Sequence, residues 1–310
     1  MATNYTNHTH KKYLFRKFVR FEANNNMNKE LLYQNKKIFY RIIGTGNPVF
    51  LIHGFGEDSD VWRNQIGPPQ TPPKDGLVNT HTQLIEDPSL ISKFKFIIPD
   101  LPGSGKSEMI ADMSMEGMAE VIHAIIHEEE IEHCTVIGHS MGGYITLALV
   151  EKYWNHLNAF GLFHSSAFAD SDEKIAARRK GIEHINQHGA FEFLKTATPN
   201  LFAQQNRDDR PELIDEQLAT LHNFLPEALV SYYEAMIQRP DRTDVLLKAA
   251  IPVLFILGKY DMAIPLEDGL KQCHLPEKSY FHILYQSGHM GMLEEPEKCN
   301  QFLNNFLMNV

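Results

Sequence analysis

The segment Gly138-His139-Ser140-Met141-Gly142-Gly143, directly behind the apolar run Thr135-Val136-Ile137, constrains the fold more than any other stretch. A serine between glycines, where a short buried strand ends and a helix begins, reads as a nucleophile elbow. On so sharp a turn the hydroxyl is exposed, and the residues two positions away must be too small to clash. Gly138 and Gly142 satisfy that demand, and Gly143 lets the following helix lie close to a sheet. The helix N-terminus then directs unpaired backbone N–H groups at any negative charge that forms beside Ser140.

G-x-S-x-G alone is a loose pattern, and its surroundings decide how it is read. Pro48 to Ile52 is a buried-strand candidate that runs into the glycine-rich turn His53-Gly54-Phe55-Gly56. Phe94 to Pro99 is another, closed by Asp100 and the turn Leu101-Pro102-Gly103-Ser104-Gly105. Downstream, Pro252 to Gly258 ends in Lys259-Tyr260-Asp261, and Tyr280 to Leu284 leads to Ser287-Gly288-His289. Serine, aspartate and histidine follow one another, each just past a strand, in an order unlike that of trypsin or subtilisin. On these motifs the chain resembles the α/β-hydrolase superfamily over about residues 36–310, in its capped single-domain esterase, lactonase and C–C hydrolase branch.

The rest of the chain alternates strand and helix patterns. Met118, Val121, Ile122, Ile125 and Ile126 form one apolar stripe on a helix over residues 115–131, and residues 142–154 make the helix after Ser140. Phe160 to His164 is the next strand, and Phe302, Leu303, Phe306 and Leu307 mark a closing helix. Such alternation predicts a mostly parallel twisted sheet covered by helices on both faces. Residues 27–168 and 250–310 form this α/β core. Residues 169–249 carry almost no strand signal but several amphipathic pieces, and they resemble the family's inserted helical cap. Phe191, Phe193, Phe202, Phe224, Tyr232, Tyr233 and Met236 are the candidates there for packing the cap or lining a pocket.

Two segments fall outside the pattern. Residues 1–26 are polar at first, then basic and aromatic from Tyr13 to Phe21, and read as a loosely ordered extension or a short surface-docking segment. The run Gly67-Pro68-Pro69 to Gly76 excludes helix and central strand and reads as a surface loop that could reach the pocket mouth.

Composition narrows the function classes. The chain has 29 Lys and Arg against 39 Asp and Glu, a net charge of −10, which disfavours non-specific nucleic-acid binding. Cys134, Cys273 and Cys299 are scattered and odd in number, which fits a reducing, cytoplasmic setting. No apolar run approaches the ~18 residues of a membrane span. Gly105-Lys106-Ser107 imitates the end of a P-loop, but Asp100 stands where that motif needs glycine. His123 with His127, and His184 with His188, have metal-type spacing without a third ligand and read as surface pairs.

The chemistry follows from the resemblance. A neutral serine hydroxyl needs a base to take its proton, and position makes His289 that base for Ser140. Asp261 is the carboxylate that holds the imidazole, with Asp170 and Asp172 as competitors placed after the preceding strand. The backbone N–H groups of Phe55 and Met141 would form the oxyanion hole. His53 and Asp100 read as structural supports. The expected activity is hydrolysis of a small to medium, apolar carboxylic ester or lactone through an acyl-enzyme on Ser140, without metal or organic cofactor. C–C bond hydrolysis, cofactor-free perhydrolysis and a hydrolase-like ligand receptor use the same scaffold and stay open.

Overall fold

The computed structural model describes residues 19–22, 26–66 and 93–310. The proline-rich run 67–76 and most of the N-terminal extension lie outside the described residues. Among those described, nine strands form one sheet in the order β1-β2-β3-β5-β4-β6-β7-β8-β9. They are β1 (Val19–Glu22), β2 (Asn26–Tyr33), β3 (Lys36–Gly44), β4 (Asn47–Ile52), β5 (Phe94–Pro99), β6 (Cys134–His139), β7 (Leu157–Phe163), β8 (Val253–Gly258) and β9 (Ser279–Leu284). The first three pair antiparallel, β3 meets β5 antiparallel, and β5, β4, β6, β7, β8 and β9 run parallel.

Burial explains which runs became central. Every residue of β6 and β8 is buried, as the helices on both faces require of a parallel strand. At the edge, β9 leaves Ser279 and Phe281 exposed. The first two strands lie at the other edge and were not anticipated from the sequence. From Met27 to Tyr33 in β2 only Leu31 and Tyr33 are buried, so its polar face gives a weak signal.

Helix α1 (Met115–Glu128) and helix α2 (Met141–Tyr153) pack side by side on one face. Ser114 caps α1 by accepting the Gly117 N–H at 3.0 Å. In α2 all ten residues from Met141 to Val150 are buried, so this helix is apolar all round and forms the inner wall of the core. Trp62 and a C-terminal helix, whose buried face carries Leu303, Phe306 and Leu307, close the opposite face. The two apolar clusters are therefore separated by the sheet itself.

Between β7 and β8 the chain forms a helical insertion: α3 (Asp172–His188), α4 (Ala190–Ala197), α5 (Gln204–Asp209), α6 (Glu212–Ala219), α7 (Pro226–Gln238) and the short turn Thr243–Leu247. Helix α3 packs on α4 and α7. The insertion is fastened at its root by buried charge. The fully buried Asp170 carboxylate receives Arg178 Nε at 2.5 Å and pairs with Arg239 at 3.0 Å, and the Arg239 guanidinium lies 3.8 Å from the centre of the Tyr144 ring on α2. Among the described residues, no helix is long and apolar enough to cross a membrane.

Candidate active site

The strand order places the site. After β4 the chain pairs β5 on one side and then crosses to lay β6 on the other, so the carboxyl ends of β4 and β6 diverge at a switch point. Phe55 lies just past the first of these strands and Ser140 just past the second.

Ser140 has φ 50° and ψ −117°, a strained conformation for a residue with a side chain. The turn is over-determined by its neighbours. The Ser140 N–H donates to Phe163 O at 2.9 Å, and its carbonyl accepts from Gly143 N at 2.9 Å and from Ser165 Oγ at 2.7 Å. The flanking glycines are needed for space: a Cβ on Gly138 would stand 2.2 Å from Gly142 O, and one on Gly142 would stand 2.5 Å from Ile52 O. Met141, the first residue of α2, is fully buried.

Asp261 and His289 come together although 28 residues apart, with Nδ1 of the imidazole 2.8 Å from Asp261 Oδ2. The other carboxylate oxygen accepts the N–H groups of Ala263 at 2.9 Å and Ile264 at 2.8 Å. Burial alone would raise the Asp261 pKa, but the His289 charge and the imidazole hydrogen bonds outweigh it and hold the carboxyl well below the usual range. His289 shows the converse. Burial disfavours its charged form, yet Asp261, Glu57 and Glu294 together raise its affinity for a proton above the ordinary imidazole value. The competing carboxylate, Asp170, is committed to its two arginines, and Asp172 starts α3.

A second imidazole joins the same carboxylate. His164 Nδ1 lies 3.1 Å from Asp261 Oδ2, so that oxygen faces two rings. His164, Asp261 and His289 offer donor atoms within 4.8 Å of one another, a metal-like set. The separations argue for protons between them. Two ligands held at about 2.0–2.1 Å in a tetrahedral zinc site stand roughly 3.3 Å or more apart, whereas both N···O distances here are in hydrogen-bond range.

Three turns are tied together by residues the sequence reading passed over. Glu57 Oε2 accepts Gly54 N at 2.7 Å and faces His139 Nδ1 at 2.9 Å, while His139 Nε2 donates to the carbonyl of His289, 3.0 Å away. The His139 and His289 rings are 4.9 Å apart, which brings the Ser140 turn beside the His289 turn. Burial opposes ionisation of Glu57, but His139 and the Gly54 N–H lower its pKa. Glu294 accepts from Gly288 N, Met290 N, Ala203 N and Asn206 Nδ2, joining the His289 turn to the helical insertion. The one sequence clue was an acidic residue, Glu57, directly after a glycine-rich turn. His53 and Asp100 are supports as expected: His53 Nε2 accepts Leu101 N at 2.9 Å, and Asp100 accepts Ser59 N and Lys106 N.

The insertion closes over Phe55. Tyr233 stacks on its ring at 4.3 Å, and Phe193 and Tyr232 meet it edge-on at 6.2 Å. Phe202 and Met236 are buried, whereas Phe191 turns aside to stack on His222. Beneath this aromatic cover lies a cavity of about 80 Å³, bounded by Phe55, Leu194, Leu201, Leu221, Tyr233 and Met290. A more open, polar groove of about 350 Å³ lies between Asn206, Arg210 and Glu294, behind the His289 turn.

Known proteins resemble the chain in sequence and in fold. A 2-hydroxy-6-oxononadienedioate/2-hydroxy-6-oxononatrienedioate hydrolase of Paraburkholderia phymatum is 24% identical over 87% of this chain and 91% of its own. A thermophilic esterase from Thermogutta terrifontis superposes with a TM-score of 0.76 at 27% identity, covering 88% of this chain and 94% of the esterase. The enol-lactonase from Burkholderia xenovorans has the same fold, with a TM-score of 0.76 at 18% identity over 90% of this chain and 99% of that one. The profile of the alpha/beta hydrolase family matches residues 49–302, and the chain belongs to that family.

Proposed function

We propose that the protein is a serine hydrolase that cleaves carboxylic esters or lactones with a short apolar acyl part, through an acyl-enzyme on Ser140. The observation that carries this reading is the buried Asp261–His289 pair, held at 2.8 Å on the turn beside the strained Ser140 elbow. Asp261 keeps the His289 Nδ1 protonated, which leaves Nε2 as the basic nitrogen for the Ser140 proton. The Phe55 and Met141 N–H groups receive the developing oxyanion. His289 then activates the water that releases the acyl group.

The cavity supports a small acyl group. Its volume of about 80 Å³ is roughly half that of an engineered apolar cavity of ~150 Å³ that admits benzene, room for about two to four carbons. The cap formed by the helical insertion sets this size. Hydrolysis of a C–C bond is a second reading, favoured by the name of the Paraburkholderia relative. That name specifies a dioate, and two carboxylates call for cationic partners. Among the described residues the cavity is lined by apolar side chains with Glu57, Thr198 and Gln217 and by no Lys or Arg, which favours the ester.

The test is turnover of p-nitrophenyl acetate, butyrate and octanoate and of a vinylogous diketone by wild-type and Ser140→Ala protein. Multiple turnovers on the short esters, lost in Ser140→Ala with the fold intact, are expected. Turnover that survives Ser140→Ala, or a preference for the diketone, would refute the proposal.

A further inference from the structure

His164 is a buried titratable group beside the site that the mechanism above does not use. It follows directly on β7 with φ 47°, in a region that residues with side chains rarely adopt, and it is fully buried. Its backbone N–H donates to Ile256 O, 2.8 Å away, which fixes the ring's root between β7 and β8. The ring is then clamped by two glycines. A Cβ on Gly291 would stand 2.5 Å from Nε2, and one on Gly258 would stand 2.9 Å from Cε1.

The tautomer follows from the partners. An ionised carboxylate only accepts hydrogen bonds, so Nδ1, 3.1 Å from Asp261 Oδ2, carries the proton. Nε2 is buried without a hydrogen-bond partner among the described residues, so it is the bare nitrogen of a neutral ring. The ionisable groups around the ring are Asp261 from the turn after β8, His289 from the turn after β9 and His139 from the end of β6. The His289 ring is 5.7 Å away and the His139 ring 6.0 Å away. Around His289 itself stand Asp261, Glu57 and Glu294. Burial pushes the His164 pKa down to about 4, against the pull of Asp261, which keeps the ring neutral near pH 7.

We propose that His164 is a positioning residue that acts through Asp261, holding the oxygen that serves His289 and tempering how strongly Asp261 stabilises the His289 imidazolium. A neutral N–H donor brings no charge of its own, yet it takes up part of the electron density of Oδ2. It also removes the freedom of the carboxylate to rotate away from His289, since Oδ1 is already held by Ala263 and Ile264. His289 is thereby kept aligned without becoming so basic that it remains protonated when Ser140 attacks. The proposal rests on the reading of His289 as the general base.

The experiment follows the His289 imidazole directly, by ¹⁵N NMR titration, alongside the pH dependence of kcat/KM on p-nitrophenyl acetate. The variants are H164L, H164G and H164N. Leucine fills the site without a donor. Glycine also lacks the donor and accepts φ 47° freely, so it serves where H164L does not fold. Asparagine tolerates the backbone and presents an N–H where Nδ1 stood. In H164L and H164G the His289 midpoint and the acid limb of kcat/KM should rise together, by about half a pH unit or more, as expected when a hydrogen bond to the charged carboxylate is lost. In H164N both should return to the wild-type position. An unchanged or lowered His289 midpoint in both donor-less variants, with only the overall rate reduced, would overturn the proposal and leave His164 as a packing residue. The NMR midpoint needs no turnover. A shift there while Ser140→Ala stays active would sink the hydrolytic reading and still support the coupling of His164 to His289.

Discussion

Replacing Gly142 by alanine tests whether the elbow works through contact with the oxyanion strand. The backbone at Gly142, the second residue of α2, has no positive φ, so alanine is locally acceptable and would favour the helix by up to about 1 kcal/mol. The space is not acceptable. The new methyl would lie 2.5 Å from Ile52 O and 2.6 Å from His53 O, both backbone atoms at the end of β4. Ordinary contact begins at 3.4 Å, so α2 and β4 must separate by about 0.9 Å, an overpacking that typically costs 1–3 kcal/mol. The same movement parts Met141 from Phe55, the two proposed oxyanion donors, and a misplacement of about 1 Å can cost roughly 10² in rate. Gly142→Ala should therefore lose about 1–2 kcal/mol in urea unfolding while kcat on p-nitrophenyl acetate falls by about 10² with KM little altered. Gly189→Ala is the control. Its Cβ meets nothing within 4 Å, but its φ of 87° strains alanine, so it should lose comparable stability and keep its kcat. A Gly142→Ala enzyme with kcat within about threefold of wild type would refute the argument that this contact sets the donor geometry.

Two further outcomes concern pH. Since Asp261 and its acidic neighbours raise the His289 pKa despite burial, and only the neutral ring accepts a proton, kcat/KM should climb with pH through a midpoint above 6.5; a midpoint at or below that value contradicts the assignment. His164 acts on stability with the opposite sign. Its folded pKa of about 4 lies below the unfolded 6.5, so the unfolded chain takes up one more proton between those values, and stability is lost as pH falls. Across the window the loss amounts to about 3 kcal/mol, read as the difference between wild type and H164N in urea unfolding at pH 7 and pH 4. Parallel losses in the two proteins would show that His164 does not titrate this way.

The parallel core was legible because its strands are buried on both faces, and runs such as Val253 to Gly258 have few alternatives to a central strand. The elbow was legible because its glycines are required within one local turn. What escaped were contacts between distant positions. His164 meets Asp261 across 97 residues and Glu57 meets His139 across 82, and no spacing in the chain signals either pair. Asp261 was preferred to Asp170 and Asp172 by its position after a strand alone, without any contact to support it. Nothing local shows that Asp170 is held by Arg178 and Arg239. At the opposite edge, β1 and β2 were missed because Val19 to Glu22 lies in a basic and aromatic run and Asn26 to Tyr33 carries only a short apolar alternation.

The means of joining the turns also shapes their chemistry. At the carboxyl edge of a parallel sheet the strands release their backbone N–H and C=O groups, and a site built there must pair those groups or leave them unsatisfied. Apolar packing cannot do this. The chain uses carboxylates instead: Glu57 binds the Gly54 turn to the Ser140 elbow, Asp261 gathers two imidazoles and two backbone N–H groups, and Glu294 binds Gly288 and Met290 on either side of His289. Each is buried, and each brings negative charge close to His289. Desolvation by itself would make that ring a poor proton acceptor. The three carboxylates reverse the effect, so the groups that hold the turns in register are also those that make His289 basic. His164 is the counterweight within this set, a buried donor that binds Asp261 without adding charge. Geometry and basicity at this site therefore cannot be changed independently, because the same few side chains determine both.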